Sequence, residues 1–472
     1  MDNSRSGWKR VFFLLPFVLG AVGLAVSGEK ISNSLFYSLQ MYVLNYSDTA
    51  PNALVEIARW TAPLASASGI LMLLSTLSRK LSAAQRLRKA DSVAVYGPEE
   101  VKTAVLKELG SRGVDGGNDF LKAKRYLLLG SQTENFAFWT KHSSELVDAQ
   151  VYIRCDTLPG QSVSAPNLHL FQPVELAARL FWKEAKLYPE SCSLGHRMTI
   201  SMIGCGDLGD SLLYWGLQNN IFDPGQKITY RIFGESGSFP KLYPQLGEIT
   251  DPVEFMSGSW KDHLPELKSS DRILVLSAEG QEAVVSRLLT LLPGKTLDVL
   301  TREAEVIRML DGQERIRIFD IARETLSAER IMGDGLLSTA KRINMRYAHI
   351  YSGAEETPER SEAEWEKLDA FTRYSNISSA DYHEIRLQML EAMGAGPDGS
   401  GLTEEQKETL SELEHIRWCR YHWLNNWRHG IPENGKAKDA ASRIHIDLIP
   451  YQELTEPEKQ KDRDTIDVML GL

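Results

Sequence analysis

The fold class follows from a segment near the middle of the chain, Thr199–Leu213 (TISMIGCGDLGDSLL). Its apolar run predicts a buried strand, and a helix follows. Between them, Gly204, Gly206 and Gly209 give the spacing G-x-G-x-x-G. The first glycine permits a tight turn, the second lets the backbone approach a pyrophosphate, and the third lets the helix pack closely on the strand. The segment predicts a dinucleotide-type α/β fold, whether or not nucleotide binding is retained.

An acidic residue follows the next predicted strand, Lys227–Phe233, at Glu235. Such an acid usually lies ~20 residues beyond the glycine turn and binds a ribose. Here it comes later, because residues 219–226 form a longer connecting loop. Glu235 is therefore the ribose candidate.

Length and charge narrow the function classes. A chain of 472 residues should hold about three domains, and its net charge of −10 argues against nucleic acid as the main partner. The four cysteines show no metal-ligand spacing, so we predict reduced thiols and no metal. The sequence also lacks a phosphate-binding P-loop, a nucleophile elbow and a zinc-peptidase motif. We therefore predict no catalytic residues and no enzymatic activity.

Two uncharged runs lie near the N-terminus, at Val11–Ser27 and Trp60–Ser78. Each is close to the ~20 residues that cross a bilayer. Basic residues precede the first run and follow the second, which places both termini in the cytoplasm. We predict a two-pass hairpin in the inner membrane over residues 1–90. The alternative is a signal peptide that ends near Ser27 and leaves a single span.

The segment between the two runs resembles the loop of a two-helix pore protein. Ile31–Val43 can form an amphipathic half-helix, and a polar turn follows it. There is no glycine between Gly28 and Gly69, so a carbonyl-lined filter is excluded, and Asp48 would attract cations instead. The alternative is an extracytoplasmic loop that lies on the membrane. The candidate pore residues are Asn45, Tyr46, Ser47 and Asp48.

Strands alternate with helices after residue 90, which predicts tandem doubly wound parallel sheets over 91–190 and 191–355. The turn of the first unit, Gly97–Glu100, has one glycine, a proline and two acids, so this unit should keep the fold without the nucleotide. A helical connector with a glycine-rich linker follows over 356–401, and a last domain over 402–472.

A membrane hairpin, a basic linker and tandem Rossmann units resemble ion-channel regulatory proteins of the TrkA-N/RCK type, over about residues 90–350. The segment Asn167–Phe181 is similar to the closing strand and helix of that domain. The resemblance implies a homo-oligomeric ring, a tetramer, with NAD(H) or another adenine nucleotide as cofactor. The cofactor-binding candidates are Gly204, Gly206, Asp207, Gly209, Asp210 and Glu235.

The C-terminal segments Leu410–Gly430 and Asp447–Ile466 resemble the RyR domain, the repeat of ryanodine receptors. The resemblance implies a mainly α-helical domain that senses small nucleotide-like ligands. A tryptophan stripe at this spacing is also compatible with a plain hydrophobic core. The candidate pocket residues are Glu414, His415, Arg417, Trp418, Trp427, Pro450 and Tyr451.

Together these features predict a ligand-gated ion channel whose cytosolic domains sense a nucleotide-like ligand. Its expected partners are further copies of itself, the lipid bilayer, the ligand and ions. One alternative is a membrane-anchored nucleotide sensor, acting in stress or phage-defence signalling, that opens no pore. Another is a regulatory subunit of a separate transporter.

Overall fold

The chain forms two compact units, Met1–Ala90 and Asp91–Leu472. A computed structural model describes residues 2–117, 119–158, 160, 167–204, 206–234, 238–332, 337–433 and 435–471. The ribose candidate Glu235 lies outside the described residues, so its predicted role stays a prediction.

The N-terminal unit consists of three helices, α1 (Asp2–Val26), α2 (Ile31–Tyr42) and α3 (Ala53–Leu87). Within the part of the chain that is described, no helix combines the length and apolar character needed to cross a membrane. The predicted transmembrane hairpin is therefore not supported by the structure.

Helix α1 contains a proline, and a tyrosine from α2 hydrogen-bonds to backbone groups on either side of it. Pro16 lies inside α1. The Tyr42 hydroxyl accepts a hydrogen bond from the Phe17 N–H at 3.1 Å and donates one to the Phe13 carbonyl. These two backbone groups would otherwise pair with each other, so the hydroxyl is inserted into the helical ladder at its weakest point. This contact also fixes α2 against α1.

Small side chains make many of the contacts among these three helices, which also enclose Leu24, Met41 and Val55, while other large apolar side chains point outward. A Cβ added at Gly20 would lie 2.9 Å from the Ser38 Oγ, and Ser38 is itself buried. Ala58 and Ala62 of α3 are also fully buried. The exposed set includes Leu14, Leu15, Val18, Val22, Ile31, Leu35, Phe36, Leu39, Ile57, Trp60, Leu64 and Leu71.

The second unit contains fourteen described strands and sixteen described helices. The strands are β1 (Val93–Tyr96), β2 (Gly113–Asp115), β3 (Arg125–Leu128), β4 (Gln150–Arg154), β5 (Leu168–Phe171), β6 (Arg197–Ile203), β7 (Lys227–Phe233), β8 (Val253–Met256), β9 (Arg272–Leu276), β10 (Leu297–Thr301), β11 (Ile316–Asp320), β12 (Arg428–His429), β13 (Lys438–Asp439) and β14 (Ile444–His445). The helices are α4 (Glu99–Leu109), α5 (Gln132–Lys141), α6 (Pro173–Ala185), α7 (Leu187–Ser193), α8 (Asp207–Asn219), α9 (Phe239–Leu242), α10 (Leu264–Ser269), α11 (Gln281–Leu291), α12 (Ala304–Arg308), α13 (Ile321–Thr325), α14 (Ala328–Met332), α15 (Ser338–Ser352), α16 (Pro358–Glu366), α17 (Ala370–Ala392), α18 (Glu404–Leu424) and α19 (Glu456–Leu470).

Two all-parallel sheets confirm the predicted mixed α/β fold of Rossmann type. The second sheet has the order β11-β10-β9-β6-β7-β8, which is the dinucleotide-binding order with β6 as its first strand. The first sheet has the order β2-β1-β3-β4-β5. This is the same arrangement without the edge strand that β8 supplies to the second sheet. A small third sheet, β12-β14-β13, lies in the C-terminal region.

One hydrophobic cluster extends through all four segments predicted after residue 90. It includes Val95 of the first sheet, Ile200 of the second, Ile377 of α17 and Leu410 of α18. Buried polar contacts join the same segments. Arg179 on α6, for example, lies 2.6 Å from a carboxylate oxygen of Asp381 on α17.

Candidate functional site

The glycine turn has the geometry that its spacing predicts. Gly204 and Gly206 have φ values of 95° and 102°, which only glycine adopts readily. A Cβ added at Gly209 would lie 3.3 Å from both the Gly204 carbonyl oxygen and a Leu276 methyl carbon, so the third glycine permits close packing of α8. The turn thus brings together Gly204, Gly206 and Gly209 with Asp207 and Asp210 of the first helical turn.

The cavity beside this turn is acidic. It encloses about 750 Å³ at the carboxyl ends of the second sheet. Its lining carries four carboxylates, on Asp207, Glu279, Glu282 and Glu303, and one guanidinium, on Arg302. Burial, and then the neighbouring Asp207 carboxylate, raise the pKa of Asp210. A pyrophosphate bound here would be stabilised by the N-terminus of α8 but repelled by the excess of carboxylates.

Aromatic side chains pack together beside the first strand of the first sheet. The ring of Tyr96, at the end of β1, lies 4.5 Å from that of Phe138, and the Phe120 ring stacks on His142 at 4.4 Å. A Cβ added at Gly97 would lie 2.9 Å from the Leu129 backbone. That this unit keeps the fold without the nucleotide stays a prediction.

A smaller cavity of about 280 Å³ lies among α15, α17, α18 and α19. Helical periodicity assembles its walls. On α19 the lining residues Glu458, Lys461, Asp462 and Thr465 recur at intervals of three and four, which places them on one helix face. The lining residues of α18 are Glu414, His415, Arg417 and Trp418, and those of α17 are Ser375, Asn376 and Ser379.

A buried carboxylate between two guanidinium groups forms one wall. Glu414 accepts hydrogen bonds from Arg417 at 2.7 Å and from Arg386 at 2.8 Å. Burial alone would raise the pKa of Glu414, but the two arginines outweigh it and lower that pKa. The group therefore carries one net positive charge, and the Nε and Nη1 atoms of Arg386 have no hydrogen-bond partner among the described residues.

His415 is held as an imidazolium. Its Nε2 lies 2.8 Å from the Ile449 carbonyl oxygen and its Nδ1 lies 3.2 Å from an Asp462 carboxylate oxygen. Both partners accept hydrogen bonds, so both ring nitrogens must carry a proton. Burial opposes this charge, but the hydrogen bonds to Asp462 and Cys419 outweigh burial and raise the pKa of His415 to about 11.

Trp418 provides the aromatic wall and is half-buried. Its ring lies 4.0 Å from that of His422 and 4.9 Å, edge to face, from that of His445. Burial lowers the pKa of His422 to about 3 and that of His445 to about 4, so both rings are neutral. The wall therefore consists of the Trp418 indole with two neutral imidazole rings against it, while the His415 imidazolium lies 5.8 Å away and nearly parallel to the indole. The exposed part of the indole suits stacking of a planar ligand.

Four of the seven predicted pocket residues line this cavity, namely Glu414, His415, Arg417 and Trp418. Three do not. Trp427 is buried in a cluster with Cys419 and Leu448, because β12 begins directly after it and turns its ring into the core. Tyr451 donates its hydroxyl to Glu408 at 3.0 Å, and Pro450 is exposed ahead of it.

The prediction missed the contributions of α17 and α19. The polar spacing of three and four residues in α19 could have indicated a lining face. Ser375, Asn376 and Ser379 carry no such signal, because they lie outside the segments that resemble the RyR domain.

The predicted pore residues do not form a site within the chain. Asn45, Ser47 and Asp48 are exposed, whereas Tyr46 is buried in the core of the N-terminal unit. The Tyr46 ring lies 6.1 Å from that of Tyr37. Tyr46 is therefore a packing residue in this structure.

Comparison with known proteins identifies the C-terminal region. Residues 401–472 match the family profile of the RyR domain, which confirms the resemblance found there. No curated protein matches the chain significantly.

Two solved structures resemble larger parts of the chain, both at 10% sequence identity. One is the GsuK channel, with a TM-score of 0.34, covering 70% of this chain and 96% of the channel chain. The other is a dipicolinate synthase subunit from Bacillus halodurans, with a TM-score of 0.23, covering 53% of this chain and 97% of that one. Neither likeness is strong enough to transfer a function.

Proposed function

We propose that this chain is a ligand sensor that binds a small nucleotide-like molecule in the cavity among α15, α17, α18 and α19. The observation that carries the proposal is the Trp418 ring, half-buried in a polar cavity of about 280 Å³. That volume lies near the lower end of the ~300–1,000 Å³ typical of small-molecule sites. A planar base can stack on the tryptophan while the surrounding polar groups bind its edges.

Charge favours this cavity over the glycine turn as the sensing site. The turn presents four carboxylates against one guanidinium. The lining of the smaller cavity also carries four carboxylates, on Glu414, Asp447, Glu458 and Asp462. They are largely offset by Arg417, Lys461 and the His415 imidazolium, and by Arg386, which pairs with Glu414. An NAD(H)-type cofactor at the glycine turn remains a second proposal, supported by the backbone geometry of Gly204 and Gly206.

Replacing Trp418 with alanine is expected to weaken adenine-nucleotide binding by about tenfold or more, since stacking on an aromatic side chain is lost. Isothermal titration of the purified full chain with AMP, ATP and ADP-ribose measures the change. Trp418→Phe should retain part of the affinity. Trp260→Ala is the control, because Trp260 lies in a short 3-10 helix after β8 and does not line the cavity. Unchanged affinity in a folded Trp418→Ala variant would contradict the proposal.

We further propose that the N-terminal unit resides in the cytoplasmic membrane, with both termini in the cytoplasm. Support comes from its packing, because small residues such as Gly20, Ser38 and Ala62 fill the helix contacts. Large side chains such as Phe36 (58% exposed) and Leu64 (62% exposed) point outward. Small residues at many of the helix contacts and large apolar residues on the outer surface are typical of helices that pack in lipid.

The proposed output of sensing is ion conduction through a symmetric oligomer, with a tetramer as the working hypothesis. Three helices per chain do not enclose a channel, so several copies must surround it. Exposed Asp48 is the candidate that attracts cations. The alternative output is a membrane-anchored sensor that opens no pore and acts on another protein.

Cation flux from proteoliposomes containing the full chain separates these outputs. We expect flux that rises on addition of an adenine nucleotide and falls several-fold in Asp48→Asn, because the variant removes charge where ions would enter. Glu29→Gln, which neutralises another exposed carboxylate of the same unit, is the matched control. A folded, ligand-binding oligomer without flux would favour the anchored sensor.

A further inference from the structure

We infer that Asn376 selects the ligand by reading the hydrogen-bonding edge of a base that is stacked on Trp418. The inference rests on the proposed sensing function and adds the chemical basis of its specificity. Asn376 belongs to α17, outside residues 401–472 that match the RyR domain. The residue that determines specificity is thus supplied by the connector that precedes that domain.

The Asn376 carboxamide faces the cavity with its hydrogen-bonding capacity unused. It lines the same cavity as Trp418 and is only partly exposed. Within the described ranges, no residue hydrogen-bonds this carboxamide. A polar group that is partly withdrawn from water and has no protein partner gains most when a ligand supplies that partner.

Most charged groups around the cavity are already paired, and the exception is the Asp447 carboxylate, whose pKa is raised by burial and by the neighbouring Glu458. Glu414 binds two arginines, His415 binds Asp462, and Lys461 binds Glu458. A ligand that competed for these groups would have to break an existing ion pair. The neutral carboxamide of Asn376 requires no such exchange, so it discriminates between ligands at lower cost.

The helix that carries Asn376 is held firmly against the rest of the unit. Asp381 of α17 accepts from Arg179 on α6 at 2.6 and 3.1 Å. Tyr382 donates its hydroxyl to the Ile221 carbonyl at 2.8 Å, and Tyr374 donates to Glu175 at 2.9 Å. These contacts lie before and after Asn376 along α17. The carboxamide is therefore pre-organised on a rigid helix, as a discriminating group should be.

The chemistry of the carboxamide identifies the base. It presents an N–H₂ donor beside a C=O acceptor, which matches the adjacent acceptor and donor of adenine at N7 and N6. A purine without the 6-amino group keeps the N7 acceptor but has no donor beside it, so the carboxamide makes at most one of the two hydrogen bonds with it. Asn376 therefore favours an adenine-containing ligand over the same ligand without its 6-amino group.

Binding of AMP and of purine riboside 5′-monophosphate, which lacks the 6-amino group, to the full chain tests this inference, with isothermal titration as the readout. The wild-type chain should prefer AMP. Asn376→Ala should lower the AMP affinity by about tenfold and bring the ratio of the two affinities towards one. Asn376→Asp, which replaces the N–H₂ donor with an acceptor, should weaken the binding of both ligands, because an acceptor then faces N7. Gln388→Ala removes an amide from the same helix but outside the cavity lining, and should change neither affinity nor ratio.

Two different failures are distinguishable in this experiment. If neither nucleotide binds to the wild-type chain, the proposed sensing function falls and the inference falls with it. If the wild-type chain binds AMP and Asn376→Ala retains the same affinity and ratio, the sensing function stands and the inference is overturned. Circular dichroism and thermal unfolding of each variant establish that the helix is retained.

Discussion

Replacing Arg420 with alanine is expected to lower the free energy of unfolding by about 3–5 kcal/mol, because it leaves a buried carboxylate without its charged partner. Arg420 on α18 is 1% exposed, and its Nη1 donates to Asp251 at 2.7 Å and to the Leu217 carbonyl at 3.0 Å. The Asp251 side chain is fully buried. Only neutral donors, Gln226 Nε2 and the Ile228 N–H, would then remain for it.

A charge-neutral double variant identifies the cause. Arg420→Met with Asp251→Asn removes both charges and keeps similar volumes, so it should recover a large part of the lost stability. Arg308→Ala breaks an exposed ion pair with Glu305 and should change stability by less than ~1 kcal/mol. Chemical and thermal unfolding of the full chain provide the measurement. If Arg420→Ala were as stable as the wild type, the ion pair with Asp251 would contribute little to stability.

The position of Arg420 also links the candidate site to the second sheet. It lies directly beyond the lining residues Glu414–Trp418 on α18. Its carbonyl partner, Leu217, belongs to α8, which begins directly after Gly206 of the glycine motif. A shift of α18 on ligand binding would therefore act on α8 through the hydrogen bond to Leu217, and on the segment before β8 through the ion pair with Asp251. These contacts offer a physical route from the cavity to the second sheet.

The parallel sheets could be predicted from the sequence because buried strands have a clear local pattern. The predicted strand Lys227–Phe233 coincides with β7, and the apolar run that opens Thr199–Leu213 lies in β6. Each is a short apolar run bounded by polar residues. Edge strands were less accessible to prediction, and β8 (Val253–Met256) was missed, because its side chains are only half-buried and its pattern is weak.

The candidate site was only partly predictable, since it depends on contacts between helices distant in sequence. Helix α18 is buried on most of its circumference, so its periodicity could not separate the cavity face from the core face. The sequence predicted both Trp418 and Trp427 as pocket residues, yet of these two only Trp418 lines the cavity. Asn376 could not be identified, because nothing in its local sequence indicates which helix packs opposite it.

The stability of the fold is expected to decrease as the pH falls from about 6.5 towards 4, because three buried histidines resist protonation. Burial lowers the pKa of His422 to about 3 and that of His445 and His383 to about 4. The unfolded chain takes up protons near pH 6.5. It therefore binds more protons than the folded chain in this window, so stability rises with pH and is fully present above pH 6.5. Each histidine contributes at most ~1.4 kcal/mol per pH unit.

Two variants test whether these rings are neutral in the folded chain, one at a histidine with a lowered pKa and one at a histidine with a raised pKa. His383→Asn removes a ring whose Nδ1 has no partner among the described residues, and should flatten the acid side of the stability profile by about one proton. His415→Gln is the matched control. Because the pKa of His415 is raised to about 11, this group is protonated in both states below pH 6.5 and its contribution is lost only as the pH rises from about 6.5 to 11.

The His415 variant should alter the alkaline side. It also changes the acid side, because the buried Asp462 loses the partner that lowers its pKa. Melting temperatures of the full chain measured from about pH 4.5 to 10 give both slopes. The His383→Asn variant leaves the carboxylate ion pairs in place, so its difference from the wild type between about pH 5 and 6.5 isolates one histidine. Identical acid slopes for the wild type and His383→Asn would show that His383 is protonated in the folded chain, and would remove it from the set of neutral buried rings.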